Sequence, residues 1–204
     1  MNTVTMKSLA FTGRRALLLG ALAAAAVALP GCATRVKASA MTNPPPSEAF
    51  SAFSRIELKP VRVATGAGAS PAGVAKIQEN LAKDLTGSLV AWNRGPDNGR
   101  QLTIEPVVQQ MQFQHGAKRV LLGPFAGSSG VLLELKITDG QGHQIANPQF
   151  FQRADAMAAG WVFGVHDNLM LTRVANLASG YLIDNYVQAK GGPTGADDKA
   201  MAAR

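Results

Sequence analysis

The fold is decided by residues 131–138, whose sequence is Val-Leu-Leu-Glu-Leu-Lys-Ile-Thr. Every second side chain from Val131 to Ile137 is apolar, and this alternation predicts a β-strand with one buried face. The Asp-Gly-Gln-Gly that follows at 139–142 is typical of a tight turn that tolerates positive φ angles. Residues 144–153 can return as the partner strand, so the whole stretch predicts a β-hairpin.

Two long helices are predicted, one on each side of this hairpin. Ser70-Pro71 provides an N-cap followed by proline at the first helical position, and apolar residues then recur every three or four positions until Gly95-Pro96. A second apolar stripe runs from a cap at Asp167 to about Val187. Each helix is therefore expected to bury one face.

Two further strands are predicted at residues 55–64 and 102–113, where apolar residues also alternate. Pro60 favours an edge position for the first strand, because proline has no N–H to donate within a sheet. Pro106 favours a bulge or a bend in the second strand, where the alternation changes face.

The complete order is strand, helix, three strands and helix. It predicts an α+β fold, in which an about four-stranded, mostly antiparallel sheet carries two long helices on one face in a two-layer domain. We expect this single domain at residues 53–188. A disordered tail is expected at residues 189–204, where the side chains are mostly small or charged.

Residues 1–31 are organised like a bacterial signal peptide. Three basic and no acidic residues lie in the first fifteen positions, and residues 16–30 contain no polar side chain. A helix of this length rises only about 22 Å, which is less than the hydrocarbon core of about 30 Å. The segment is therefore predicted to be a signal peptide and not a membrane span.

Leu29-Pro30-Gly31-Cys32 resembles the lipobox of bacterial lipoproteins, although Pro30 is an unusual occupant of its position. The resemblance implies cleavage before Cys32 and attachment of lipid, including palmitate, to that residue. Residues 32–52 are rich in Ala, Ser and Pro and are predicted to be an extended tether. The alternative is a single cysteine that happens to follow a conventional secretory signal. The resemblance to Gram-negative lipoproteins also implies the outer membrane and a domain in the periplasm, because residue 33 is Ala and not the Asp that would favour retention at the inner membrane.

Charge and cysteine content exclude several classes of function. The formal charge is +7, but three of the cations lie in the predicted signal peptide and the other Lys and Arg residues are scattered. We therefore expect no nucleic-acid binding. With one cysteine, the chain can form neither an internal disulfide nor a cysteine-based zinc site. We expect no cofactor.

A resemblance to a known family rests on residues 119–123 (Arg-Val-Leu-Leu-Gly), 126–130 (Ala-Gly-Ser-Ser-Gly) and the strand that follows, with its Asp139-x-x-Gly142 turn. These features resemble a proteobacterial lipoprotein family of unknown function, numbered 4410 among such domains, over residues 55–187. The chain also looks like the α/β modules of periplasmic lipoproteins that activate peptidoglycan synthases or form curli secretion pores. These resemblances imply an envelope lipoprotein and carry no catalytic residue across.

The sequence predicts no catalytic or metal-binding constellation. Gly127-Ser128-Ser129-Gly130 lacks one spacer of a nucleophile elbow and precedes a strand, so it is interpreted as a turn. His115, His143 and His166 have no second ligand at helical spacing and are interpreted as loop or surface residues.

An aromatic segment is the candidate for partner binding. Phe150, Phe151 and Arg153 lie close in sequence to Trp161 and Phe163, in a chain with only twelve aromatic residues. Buried aromatic and Arg side chains dominate interface energetics, which favours a docking site. The alternative is that these side chains close the core beneath the last helix.

These observations lead to the hypothesis of a non-catalytic lipoprotein, anchored in the outer membrane and facing the periplasm. Its partners would be the membrane, through the lipid on Cys32, and an envelope protein or peptidoglycan. A lipid-anchored hydrolase, with Ser, His and Asp residues brought together from distant positions, is the alternative. An oligomeric secretion or pore component is the third interpretation.

Overall fold

The computed structural model describes residues 38–113, 129–154 and 165–197, and only the backbone of residues 165–167. In this part of the chain the strands are β1 (Thr42–Asn43), β2 (Arg55–Leu58), β3 (Arg62–Val63), β4 (Gln101–Gln112), β5 (Ser129–Asp139), β6 (Gln144–Ala146), β7 (Gln149–Ala154) and β8 (Gly192–Pro193). The helices are α1 (Pro71–Trp92) and α2 (Val165–Asp184), and Phe50–Ala52 forms a 3₁₀ turn.

In the described residues the main sheet has six strands, which corrects the prediction of about four. Its pairing is mixed, with three antiparallel and two parallel strand pairs, in agreement with the predicted antiparallel majority. β4 and β5 form its antiparallel centre. β2 and β3 pair one after the other with β4, both in parallel. β6 and β7 pair one after the other with β5, both antiparallel. The α+β class, with two long helices, agrees with the prediction.

The additional strands arise because each outer row of the sheet is interrupted at a proline. Pro60 lies between β2 and β3, and Pro148 lies between β6 and β7, so the two continuous strands expected from sequence are each split. Pro106 of β4 lies opposite the break between β2 and β3, where a missing N–H breaks no ladder bond. The register shift in β4 lies between Val108 and Gln110 and not at Pro106.

Both helices pack on the face of the sheet that the alternation in β5 predicts. Val131, Leu133, Leu135 and Ile137 share one core with both helices. Ser70 caps α1 as expected, since its Oγ accepts from the N–H of Gly73 at 3.1 Å. α2 begins two residues before Asp167 and ends at Asp184, three residues short of the expected end.

The opposite face of the sheet is partly covered by the two terminal segments. Ala38, Leu132 and Phe151 form a small second cluster there, with Ala196 packed against it. β1 pairs with β8 in a separate two-stranded sheet, and Thr194 is fully buried. The ordered domain therefore includes residues from both the predicted tether and the predicted disordered tail.

Candidate functional site

A polar cleft lies at one end of the sheet, where two loops meet. β4 and β5 are antiparallel neighbours, and Leu102 pairs with Asp139, so the loop before β4 lies beside the turn after β5. The space between them measures about 280 Å³. It is lined by Phe53, Gly99, Arg100, Gln101, Asp139, Gly140 and Gln141. Sheet pairing therefore fixes the two walls of this cleft.

Arg100 is held in place on one wall of the cleft. Its Nη2 and Nη1 atoms donate to Oε1 and Oε2 of Glu48 at 2.6 and 2.9 Å, a two-point contact that fixes the guanidinium plane. The guanidinium carbon lies 4.3 Å from the centre of the Phe53 ring, in cation–π geometry. The hydrogen bond from Arg100 holds the pKa of Glu48 below its ordinary value, and the pKa of Arg100 is raised in return.

The other wall is a turn built on Asp139. Its Oδ1 accepts from the N–H groups of Gln141 and His143 at 2.9 and 2.8 Å, and its Oδ2 lies 2.9 Å from Nδ1 of His143. Desolvation opposes ionisation of this carboxyl group, but the hydrogen bonds from His143 and Gln141 outweigh it and the pKa of Asp139 is lowered. The positive φ of Gly142, 87°, allows this turn to close.

A second aspartate stabilises the loop that carries Arg100. Oδ1 of Asp97 accepts from Ser54 Oγ at 2.7 Å and from the N–H of Gly99 at 2.9 Å. The hydrogen bond from Ser54 is the main reason that the pKa of Asp97 is lowered. Both walls of the cleft are therefore ordered by a carboxylate that accepts backbone hydrogen bonds.

The cleft presents a positively charged guanidinium, on Arg100, and a negatively charged carboxylate, on Asp139, to a polar ligand. His143 is 76% exposed, and within the described ranges no Ser or Thr hydroxyl hydrogen-bonds to it. Those ranges also contain no group of three or more His, Cys, Asp or Glu side chains that could hold a metal ion. The chemistry that the geometry supports is recognition of a polar molecule by a positioned cation and carboxylate.

The structure separates the predicted aromatic site. Phe150 is fully buried on the helix side of the sheet, with its ring centre 5.8 Å from that of Tyr181. Phe151 points to the opposite face and is 2% exposed. Arg153 lies near the surface and pairs with Asp197 at 3.2 Å. Neither phenylalanine offers a surface to a partner in this conformation.

Several other predicted residues lie outside the described residues. These are Cys32, His115, Trp161, Phe163 and the side chain of His166. Of the Gly-Ser-Ser-Gly segment, only Ser129 and Gly130 are described, and both already belong to β5.

Sequence reasoning missed Arg100 and Glu48, which are 52 positions apart. No local pattern connects two residues that the fold brings together from such a distance. The Asp139 turn was recognisable, since an aspartate before a Gly-rich segment is a common turn signal. Its role as a wall of the cleft depends on its position beside the loop before β4.

Comparison with known proteins gives only distant similarity. No protein-family model matches the chain, and no curated protein matches it in sequence. The resemblance to the family numbered 4410 therefore gains no support from these comparisons.

Among solved structures, the PelC dodecamer from Paraburkholderia phytofirmans is similar, with a TM-score of 0.43 and 12% identity over 68% of this chain and 94% of that chain. A PelC variant from the same organism gives a TM-score of 0.40 and 14% identity over 65% and 90% of the two chains. A candidate lipoprotein from Caulobacter crescentus CB15 gives 0.33 and 13% over 64% and 89%. At such low TM-scores these similarities carry no conclusion about this chain.

Within the described residues, neither α1 nor α2 combines the length and apolar character that a membrane span requires.

Proposed function

We propose that the protein is an outer-membrane lipoprotein, anchored through lipid on Cys32, whose α+β domain faces the periplasm and binds an envelope component without catalysing a reaction. The polar cleft between Arg100 and Asp139 is its binding site in this proposal. We also propose that the chain is related to the lipoprotein family numbered 4410, which its sequence resembles. The ligand class is a polar group on an envelope protein or on peptidoglycan.

The observation that carries the anchoring is the position of Ala38. This residue is 3% exposed and packs on the sheet only six positions after Cys32. A domain that begins so soon after a lipobox-like sequence is expected if the cysteine becomes the first residue of the mature chain. Multiple acyl chains on that residue would provide stable membrane attachment.

The binding role is supported by the way in which the cleft is built. Arg100 and Asp139 are both positioned by hydrogen bonds, so a ligand would meet groups that are already oriented. A hydrolase would need a nucleophile within hydrogen-bond reach of a base. Nδ1 of His143 hydrogen-bonds to Asp139 of its own turn, and within the described ranges no Ser or Thr hydroxyl hydrogen-bonds to this ring.

The experiment is site-specific photo-cross-linking in intact Gram-negative cells. A benzophenone amino acid replaces Gln141, which is exposed and lines the cleft, or Lys83, which is exposed on α1. We expect a discrete adduct, with a protein or with cell-wall fragments, from position 141 only. In addition, Arg100→Ala in the Gln141-labelled protein should reduce the yield of this adduct.

Equal labelling from both positions, or no adduct from position 141, would contradict the binding role. A complementary assay follows turnover of ester, peptide and glycan substrates by the purified mature protein. Turnover that disappears in His143→Ala would support the hydrolase and overturn the non-catalytic proposal.

A further inference from the structure

We propose that the sheet face opposite the helices lies against the phospholipid headgroups of the anchoring membrane, with both helices directed away from it. This inference rests on the proposed lipidation of Cys32. It adds an orientation and a distance, which the anchoring alone does not specify.

Only a short stretch of chain separates the lipid from the domain. Six residue steps separate Cys32 from Ala38, and a fully extended chain of that length spans only about 20 Å. The sequence alone, with a tether that ends at residue 52, would have allowed a reach of about 60 Å. Ala38, where the tether joins the domain, therefore lies within about 20 Å of the lipid-bearing cysteine at the membrane surface.

The segment that begins at Ala38, where the tether joins the domain, is held in place by hydrogen bonds. Ser39 Oγ donates to Oε1 of Gln149 at 2.7 Å. Three residues farther along the chain, β1 begins at Thr42 and pairs with β8. Thr194 Oγ1 also donates to the carbonyl oxygen of Ala40 at 2.7 Å. Release of this segment would require the loss of these bonds together with the packing of Ala38.

The tether joins the domain on the sheet face that carries no helices. Ala38 contacts the cluster formed by Leu132 and Phe151, which is on the sheet face without helices. Packed layers are separated by about 10 Å and a helix is about 10 Å across. The outer surface of α1 therefore lies about 20 Å beyond the open sheet face on which Ala38 packs. A short tether at this position brings the open sheet face to the membrane.

The exposed part of that face has the chemistry of a surface that meets lipid headgroups. Arg62 pairs with Glu105, and Lys136 lies opposite Glu105 in the register of β4 and β5. A surface that carries both positive and negative side chains can pair with the phosphate and ammonium groups of phospholipids.

The test uses the fact that lipid occupies the sole native cysteine, so an introduced cysteine is the only free thiol. Lys136→Cys places a fluorophore on the open sheet face, and Lys83→Cys places it on the outer side of α1; both lysines are exposed. The lipidated proteins are reconstituted in vesicles of phosphatidylethanolamine and phosphatidylglycerol that contain an acceptor-labelled lipid. The difference of about 20 Å predicts energy transfer at least about twofold higher from position 136.

Equal transfer from the two positions, or higher transfer from position 83, would overturn this orientation. Intact-mass measurement of each sample first shows whether the lipid is present, so failure of lipidation is distinguished from failure of the orientation. As a second variant, a flexible Gly-Ser insertion of about twenty residues after Lys37 raises the fully extended span of the tether from about 20 Å to about 90 Å. We expect this insertion to abolish most of the difference between the two positions, whereas an unchanged difference would show that the tether does not set the orientation.

Discussion

Asn43 and Gln149 exchange two hydrogen bonds across 106 positions of the chain. The Asn43 side chain accepts from the N–H of Gln149 and donates to its carbonyl oxygen, both at 2.8 Å. The side-chain amide thus pairs with the outer edge of β7 as another strand would. The N–H of Phe151 donates to the carbonyl oxygen of Thr194 at 2.7 Å farther along the same edge.

The opposite edge of the sheet is closed in the same way. Asn93 accepts from the N–H of Ile56 at 2.7 Å and donates to its carbonyl oxygen at 2.9 Å. Farther along this edge, between β2 and β3, the N–H of Val61 donates to Gln78 Oε1 at 2.7 Å. Because unpaired edges invite strand addition, these side chains oppose association of the domain through its sheet.

Removal of the Asn93 amide should destabilise the domain and expose the edge of β2. Asn93→Ala leaves the N–H and carbonyl of Ile56 without these partners, at an expected cost of about 1–3 kcal/mol in the free energy of unfolding. Urea unfolding and light scattering measure the two effects. The neighbouring exposed Arg94→Ala is the control, and equal stability of the two variants would argue against a capping role for Asn93.

Asn185 should determine whether the carboxy-terminal segment stays on the domain. This fully buried side chain donates to the carbonyl oxygens of Tyr181 and Gly191 and accepts from the N–H groups of Lys190 and Gly191. Asn185→Ala should lower the free energy of unfolding by about 3 kcal/mol, because several buried N–H and carbonyl groups lose their partner.

Hydrogen exchange is the appropriate measurement for this variant. We expect amide protection at residues 190–197 to fall in Asn185→Ala and to remain unchanged in Gln188→Ala, whose side chain is exposed. Unchanged protection in both variants would show that Asn185 does not hold this segment.

Phe150 should behave as a core residue. Its ring is fully buried against Tyr181, so Phe150→Ala should lower the free energy of unfolding by about 3–5 kcal/mol. Val187→Ala, at a position 80% exposed, should change it by less than about 0.5 kcal/mol. A stable Phe150→Ala protein that has lost only its partner adduct would instead support the docking interpretation.

Tyr181 should make stability depend on alkaline pH. Burial raises the pKa of its hydroxyl to about 12, while an unfolded tyrosine ionises near about 10. Its contribution to stability is therefore complete below about pH 10 and is lost as the pH rises towards 12.

Tyr181→Phe removes this ionisation together with the hydrogen bond that the hydroxyl donates to the carbonyl oxygen of Pro44 at 3.0 Å. We expect a loss of about 1 kcal/mol at neutral pH and a shallower decline between pH 10 and 12. Thermal unfolding over this pH range, with Tyr186→Phe as the control, measures both. A decline as steep as that of the unsubstituted protein would exclude Tyr181 as its source.

Local patterns predicted the parts of the fold that depend on neighbouring residues. The alternation from Val131 to Ile137 identified β5 and its buried face, and Ser70-Pro71 identified the start of α1. The strand breaks at Pro60 and Pro148 could not be predicted in the same way. Whether a proline splits a strand or only bends it depends on how the neighbouring strand pairs with it.

The remaining features depend on contacts between distant positions. Small, polar residues at 189–197 resemble a disordered tail in composition, yet Thr194 is buried because β1, Asn185 and the edge of β7 all lie beside this segment. The cleft likewise combines Glu48, Arg100 and Asp139 from three separate segments. Composition cannot predict such partners.

The most direct test of membrane anchoring is an intact-mass measurement of the mature protein from its native membrane. The account predicts a chain that starts at Cys32 and carries the added mass of a diacylglycerol and a further acyl chain. A chain with an unmodified thiol, or one that starts at another residue, would contradict it.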